Sequence, residues 1–318
     1  MKKHIISVLL VLCLLAGVGL LLYPKFNNLL YQRHRSTLLK DYHQIIEQMD
    51  DNTQKMILDA ARDYNQRLAN TRFTFWPDNE RTAEYESLLR SDESNGLDTM
   101  AFLRYECIGI TEEKELPIYH GNSAEVLQTG LGHEPYSALP VGGEGTHCIL
   151  CGHSGLDNGK IILDNLVNAS LGDLFQLYVF GEVLTYQVDN ISVVLPDGEE
   201  IKDLLMPTPG KDYCSMFTCT NADGNQHRFV VRGHRVENPE ESQDNTIVVR
   251  KTPGATEVER MFVASAAAIP MLLVLFLVLM FSGRRKAAQK RAVTLERLEA
   301  LSKTHGHDLE EDQKGDLS

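Results

Sequence analysis

The chain carries an uncharged apolar segment near each end, and these two segments constrain its fold more than any other feature. The first, Ile5 to Tyr23, runs for 19 residues without a charge, and the second, Met261 to Phe281, is uncharged throughout. A helix of about 20 apolar residues is long enough to cross the hydrocarbon core of a bilayer. Pro270 lies inside the second segment, where a membrane helix tolerates it. We therefore expect two transmembrane helices that frame one central region.

Basic residues lie at the outer end of each segment. Lys2 and Lys3 precede the first segment, and Arg284 and Arg285 follow the second. By the positive-inside rule, both chain ends are cytoplasmic and residues 24–260 form an extracytoplasmic region. The first segment is long for the apolar part of a signal peptide and no clear A-x-A cleavage site follows, which favours an uncleaved signal anchor. Buried core helices are the alternative, and the matching basic flanks argue against it.

Composition and pattern divide the chain further. A formal charge of −13 over 318 residues, with no long basic stretch in the middle, argues against nucleic acid as a partner. We expect an N-terminal signal anchor (1–24), extracytoplasmic helices (25–70), a lid-like surface segment (71–100), a β-rich domain (101–237), a linker (238–260), a second transmembrane helix (261–281) and a charged cytoplasmic tail (282–318).

The central region changes from helical to β periodicity. Apolar spacing predicts two helices between residues 30 and 70 that are broken near Asp51, where Asp50, Asp51 and Asn52 offer an N-cap. From Met100 onward, short β-runs alternate with turn residues, which is typical of a closed or nearly closed β-barrel with one or two brief helices. The predicted strands are 101–110, 147–152, 174–180, 183–194, 213–219 and 227–235.

The six cysteines cannot all be paired outside the membrane. Cys13 lies in the first apolar segment, which leaves five, an odd number, in the extracytoplasmic region. At least one thiol there is free, and a free thiol outside the cell is often reactive. The five are Cys107, Cys148, Cys151, Cys214 and Cys219.

The stretch HCILCGHSG contains a C-x-x-C pair that suggests a metal, haem or redox site. A structural zinc site needs four ligands, and c-type haem needs a histidine directly after the second cysteine, where this chain has Gly152. In an extended strand, Cys148 and Cys151 point to opposite faces. The pair is therefore interpreted as small buried residues. Ser154 is not a hydrolase nucleophile either, because G-H-S-G lacks the G-x-S-x-G spacing.

A second group of residues surrounds Cys219. An apolar strand delivers this cysteine into a turn-rich loop, and Arg228 begins the next strand nine residues later. A thiolate is a strong nucleophile, a histidine can protonate a leaving amine, and an arginine can stabilise an oxyanion. These residues suit covalent acyl transfer, although a cysteine in a strand is more often part of a core.

Three separated motifs resemble the sortases, the surface transpeptidases of Gram-positive bacteria. They are GHSGL, FTCTN and HRFVVRGHR, in this order and spacing. The wider run from ELPIYHG to GHSGL is most similar to the pilin-polymerising, or class C, sortases. The resemblance covers residues 30–237 and extends to the second membrane helix. It implies that His153, Cys219 and Arg228 form the active site, with Arg232 and Arg235 as lower-ranked candidates for the arginine.

The resemblance also implies a fold and a reaction. The fold is an eight-stranded closed β-barrel with the site at one end of adjacent strands. The reaction is cleavage of an LPxTG-like sorting signal through a Cys219 thioester, which a lysine amine of a pilin subunit resolves into an isopeptide bond. His153 acts as acid and then base, and Arg228 holds the substrate and stabilises the oxyanion. The reaction requires neither a metal nor a cofactor.

The chain departs from the family pattern in three places. Ser154 follows the G-H pair instead of arginine, and the sequence after Cys219 is not T-P-Y-G. Class C sortases tend to carry a lid with Asp-Pro-aromatic. Here Phe75, Trp76, Pro77 and Asp78 stand in the expected region in a different order. Phe75 or Trp76 is expected in the groove, with Asp78 near Arg228, and a packed surface loop is the alternative.

The sequence leaves three alternatives to a pilin-polymerising sortase. A sortase that anchors proteins to peptidoglycan precursors is the alternative within the family. A sortase substrate would need LPxTG directly before Met261, where the chain has TPGATEVER. A membrane-anchored binding module without activity is the third alternative.

The spacing of the cysteines along the two catalytic strands predicts a further contact. Cys148 stands five residues before His153, and Cys214 stands five before Cys219. If the two strands run side by side, Cys148 and Cys214 meet on the face opposite the site, either as packed thiols or as a disulfide.

Overall fold

The structure is a computed structural model that describes residues 2–70, 82–91, 99–156, 158–220, 226–239, 289 and 292–296. The chain divides into two units, Met1–Thr252 and Pro253–Ser318. In the second unit the described residues are helical. The second predicted membrane helix, 261–281, lies outside the described residues.

Two helices open the first unit. Helix α1 spans Lys2–Gln48 without interruption at Pro24, and α2 spans Asp51–Ala69. Asp50 caps α2, because its carboxylate accepts a hydrogen bond of 3.0 Å from the Thr53 amide. The predicted break near Asp51 is confirmed. Among the described residues, one helix, Val11–Gln48, is long and apolar enough to cross a membrane.

Eight strands close a barrel in the order β1-β2-β3-β4-β7-β8-β6-β5, which confirms the predicted eight-stranded closed β-barrel. The strands are β1 (Thr99–Arg104), β2 (Leu116–His120), β3 (Leu131–His133), β4 (Thr146–Cys151), β5 (Leu174–Val179), β6 (Glu182–Val194), β7 (Asp212–Cys219) and β8 (Arg228–Val236). In the described parts of the connections lie three short α-helices, α3 (Ala83–Ser87), α4 (Ala124–Leu127) and α5 (Glu199–Leu205).

The predicted strands differ from the observed strands in two ways. The predicted strand 101–110 was wrong at its end, because β1 stops at Arg104 and a 3₁₀ turn follows at Glu106–Ile108 with Gly109 at a φ of 86°. Strands β2 and β3 were not predicted. Pro117 interrupts the β pattern of the first, and three residues in the second are too few to show alternation.

Strands β4 and β7 are parallel neighbours, and their side chains alternate between two faces. Cys148 and Cys214 are in register and belong to the barrel interior, whereas Cys151 belongs to a separate apolar cluster on the outer face with Phe217 and Ile201 of α5. The opposite orientation of Cys148 and Cys151 is confirmed, and so is the meeting of Cys148 with Cys214. Both are free thiols.

His147 is a buried histidine of β4 on the outer face. Its Nδ1–H donates to the Met206 carbonyl at 3.3 Å, and its Nε2 accepts from the Ser215 hydroxyl at 2.8 Å. Burial lowers the pKa of His147 from 6.5 to about 4, because desolvation disfavours the charged ring. His147 is therefore neutral when the protein is folded near neutral pH.

This burial predicts a dependence of stability on pH. Between pH 6.5 and about 4 the unfolded chain binds a proton at His147 that the folded chain does not, so stability falls as the pH falls. The free energy of unfolding falls by about 3 kcal/mol over this range. Urea unfolding of the detergent-solubilised chain at pH 7.5 and 4.5 measures it. His147→Gln lacks the titrating group and should lose less stability on acidification, and an equal loss in both proteins would contradict the assignment.

Candidate active site

The three predicted site residues lie at the ends of three neighbouring strands. His153 follows the last residue of β4 by two positions, Cys219 ends β7 and Arg228 begins β8. Cys219 and Arg228 are direct partners in the antiparallel β7–β8 register. All three are half-buried and line one cavity of about 480 Å³ on the outer face of the barrel.

The alternation of side chains explains why they share this face. Phe217 of β7 and Val230 of β8 belong to the outer apolar cluster. Cys219 and Arg228 each lie two residues from one of these, so they point to the same side of the sheet. The buried run of β7 thus ends with a cysteine that emerges beside the cluster.

Gly152 lets the chain leave β4 toward the cavity. A Cβ at this position would lie 2.8 Å from Leu131 Cδ2 and 2.9 Å from Leu163 Cδ1, so a larger residue would displace both side chains. The Gly152 amide donates to the Phe217 carbonyl at 3.2 Å, which extends the β4–β7 pairing by one residue. His153 therefore emerges directly above the end of β7.

The loop after His153 is closed by hydrogen bonds. The Leu163 amide donates to the His153 carbonyl at 3.0 Å. The Asp164 carboxylate accepts from the amides of Gly155 at 2.9 Å and Ile162 at 3.0 Å. We define residues 153–164 as the histidine loop.

Ser154 joins the histidine loop to the end of β7. Its hydroxyl donates to the Cys219 carbonyl at 2.8 Å. Sequence reasoning noted Ser154 as a departure from the family pattern and missed this contact, because only the folded chain brings the two segments together.

The cavity holds a second cysteine with different properties. Burial raises the pKa of the Cys151 thiol well above its usual range, and the nearby Glu134 carboxylate raises it further. Cys151 is therefore a neutral thiol, and Cys219 is the more exposed of the two. Glu134, a lining residue that the sequence did not reveal, accepts hydrogen bonds of 2.9 and 3.1 Å from the Asn122 amide.

The other two arginines of β8 are engaged elsewhere. Arg232 donates to both oxygens of Asp189, at 3.0 and 3.3 Å, and stacks 4.3 Å from the centre of the Tyr213 ring. Arg235 lies over the Tyr186 ring. Among the described lining residues, Arg228 is the arginine of the cavity.

The predicted lid residues Phe75, Trp76 and Asp78 lie outside the described residues. The chain after them is not merely a surface segment. Tyr85 of α3 is 1% exposed, and its hydroxyl bonds to His133 Nδ1 at 3.0 Å. Part of the predicted segment 71–100 is therefore packed on the barrel.

Comparisons with known proteins identify the family. A family model of the sortase domain matches residues 109–236, and no curated protein sequence matches the chain. Sortase C1 from Streptococcus agalactiae is 37% identical, with 64% of this chain and 100% of that chain covered and a TM-score of 0.57. Sortase C from Streptococcus pneumoniae is 30% identical, with 64% and 97% covered and a TM-score of 0.53.

A lid mutant of sortase A from Corynebacterium diphtheriae is also similar, at 36% identity and a TM-score of 0.52, with 61% of this chain and 99% of that chain covered. The two streptococcal relatives are class C sortases, which confirms the resemblance seen in the motifs. This chain covers almost the full length of each solved relative. The chain belongs to the sortase family of cysteine transpeptidases.

Proposed function

We propose that this protein is a membrane-anchored sortase that cleaves an LPxTG-like sorting signal and joins it to a lysine amine of a pilin subunit. The observation that carries the proposal is the convergence of His153, Cys219 and Arg228 on one cavity, although the first and the last are 75 positions apart in the sequence. In acyl transfer through a thioester, a thiol can act as the nucleophile, an imidazole can carry the proton and a guanidinium can stabilise the oxyanion.

The first half-reaction transfers the acyl group to the enzyme. The Cys219 thiolate attacks the carbonyl carbon of the threonine in the sorting signal, and Arg228 stabilises the oxyanion that forms. The C–N bond then breaks, and the His153 imidazolium gives its proton to the leaving amine. The products are a Cys219 thioester, neutral His153 and the released downstream peptide.

The second half-reaction transfers the acyl group to the acceptor. A neutral lysine amine attacks the thioester carbonyl and the C–S bond breaks. The amine gives a proton to His153, which restores the imidazolium and the Cys219 thiolate. The product is an isopeptide bond, and the enzyme returns to its starting protonation state.

Pilin polymerisation is supported by the relatives. The solved Streptococcus pneumoniae sortase C is described in terms of pilin substrate specificity, and we extend this substrate class to the present chain. Membrane anchoring is supported by the exposed apolar part of α1. We further propose that 261–281 forms a second span, with both chain ends in the cytoplasm and the barrel outside.

The lid is a separate part of the proposal. The expected lid residues Phe75, Trp76 and Asp78 precede α3, which packs on the barrel through Tyr85. A cavity of about 480 Å³ is large enough for an aromatic side chain. We propose that the lid fills the cavity until a sorting signal displaces it.

Cys219→Ala should abolish transpeptidation, since no other group forms the thioester. We expect the rate with an LPxTG-type donor and a lysine acceptor to fall by about three orders of magnitude or more. Cys151→Ala is the matched control, because it removes the buried thiol of the same cavity, and it should retain most of the activity. Chromatographic detection of the joined peptide measures both. Comparable activity in Cys219→Ala and wild type would refute the mechanism.

Arg228→Lys should lower kcat by about a hundredfold, because an ammonium does not reproduce the forked donor geometry at the oxyanion. Arg232→Lys is the control, since its side chain pairs with Asp189. Steady-state kinetics with the same peptides compare the two. A larger loss of kcat in Arg232→Lys than in Arg228→Lys would show that Arg228 is not the arginine that stabilises the oxyanion.

Deletion of residues 71–80 should raise the rate at which a thiol reagent modifies Cys219, because the lid no longer occupies the cavity. Peptide mapping by mass spectrometry follows each cysteine separately. Cys107 is half-buried away from the cavity and serves as the internal control. An unchanged labelling rate at Cys219 would remove the lid from the mechanism.

A further inference from the structure

The exposed apolar side chains of the barrel are concentrated in two stretches of the chain. Between residues 99 and 239, seven large apolar residues are exposed among those described, and six of them lie in the β4–β5 connection, at the start of β5 or around the end of β6. The six are Ile161, Val167, Leu171, Leu174, Val193 and Leu195, with exposures from 36% to 67%.

Strand directions show that these residues lie at the active-site end of the barrel. Strands β4, β6 and β7 run in the same direction, because β4 is parallel to β7, and β8 is antiparallel to both β7 and β6. They end at the cavity, where His153, Cys219 and Pro196 lie. Strand β5 is antiparallel to β6, so it starts at this same end.

Helix α1 runs along the barrel from this end to the opposite one. The Asn27 amide donates to the Asn158 carbonyl at 2.8 Å, and the Ile161 amide donates to Asn28 Oδ1 at 3.1 Å. Farther along, Tyr42 bonds to Met100 at the start of β1, at the other end. From Asn28 to Tyr42 the helix rises about 21 Å, so α1 follows the barrel from one end to the other.

The contact between α1 and the histidine loop is close. A Cβ added to Gly159, whose φ is 81°, would overlap Pro24. Pro24 directly follows the apolar segment that ends at Tyr23, and the side chains of Tyr23 and Phe26 are exposed. The tip of the histidine loop is therefore held at the level where α1 leaves the apolar segment.

We infer that the active-site end of the barrel rests on the bilayer surface, with Ile161, Val167, Leu171 and Leu174 in contact with the lipid headgroup region. The inference rests on α1 being the membrane anchor, as proposed above. The occupant of the apolar surface is the bilayer because α1, hydrogen-bonded to the same loop, continues into the lipid at this level. When exposed apolar side chains beside a membrane helix enter the interface, the free energy of the system falls.

This placement selects a class of substrate. A cavity that opens beside the bilayer surface is accessible to a peptide that emerges directly from a membrane helix, with the reacting bond within a few residues of the lipid. A peptide held at the bilayer therefore meets the cavity more often than a peptide that is free in solution. A soluble peptide is expected to react more slowly than the same peptide attached to a lipid anchor.

Fluorescence quenching by brominated phospholipids tests the placement. The chain has a single tryptophan, so Val167→Trp in a Trp76→Phe background reports from the active-site end. Met56→Trp in the same background is the control. Met56 is 72% exposed on α2, two residues after Gln54, whose side chain bonds to Ile46 near the far end of the barrel. Both full-length variants are reconstituted in phosphatidylcholine vesicles brominated near the headgroup.

We expect tryptophan at 167 to be quenched about twofold or more and its emission to shift to the blue, whereas tryptophan at 56 stays unquenched. Vesicle flotation distinguishes failure of the membrane anchor from failure of the placement of the barrel. A chain that does not float with the vesicles refutes the anchor and the placement together. A chain that floats but shows no more quenching at 167 than at 56 refutes the placement alone. If the emission at 167 is unquenched and its wavelength changes with protein concentration, a second copy of the chain covers the apolar surface instead of the bilayer.

Discussion

The parallel pairing of β4 with β7 is the interaction on which the rest of the site depends. Cys148 stands opposite Cys214 in this register, and five residues later each of the two segments brings a side chain to the cavity, His153 from one and Cys219 from the other. A slip of one residue would turn either side chain to the other face of the sheet. The buried thiol pair inside the barrel and the site outside it are therefore two consequences of one register.

The neighbouring elements hold this register in place. Gly152 gives the chain room to turn out of β4, and Ser154 ties the histidine loop to the Cys219 carbonyl. Strand β8 then brings Arg228 beside Cys219 through antiparallel pairing. Because these contacts are mostly made by the backbone, they position the site without using the three side chains themselves.

Much of this could be predicted from the sequence, and the exceptions have physical reasons. The long strands were found because alternation over several residues is a strong local signal, and the motifs led to His153, Cys219 and Arg228. Strand β3 was missed because three residues show no period, and its pairing with β4 is a long-range contact. Glu134 and the packing of Tyr85 were missed for the same reason: both depend on segments that meet only in the folded chain.

The central claim is that Cys219 carries the acyl group. Incubation of the full-length protein with an LPxTG-type peptide in the absence of an amine acceptor, followed by acid quenching and peptide mapping by mass spectrometry, tests it directly. We expect the peptide that contains Cys219 to gain the mass of the acyl fragment, truncated after threonine. An acyl group found on Cys151 or on another residue, or cleavage of the peptide without any covalent adduct, would contradict it.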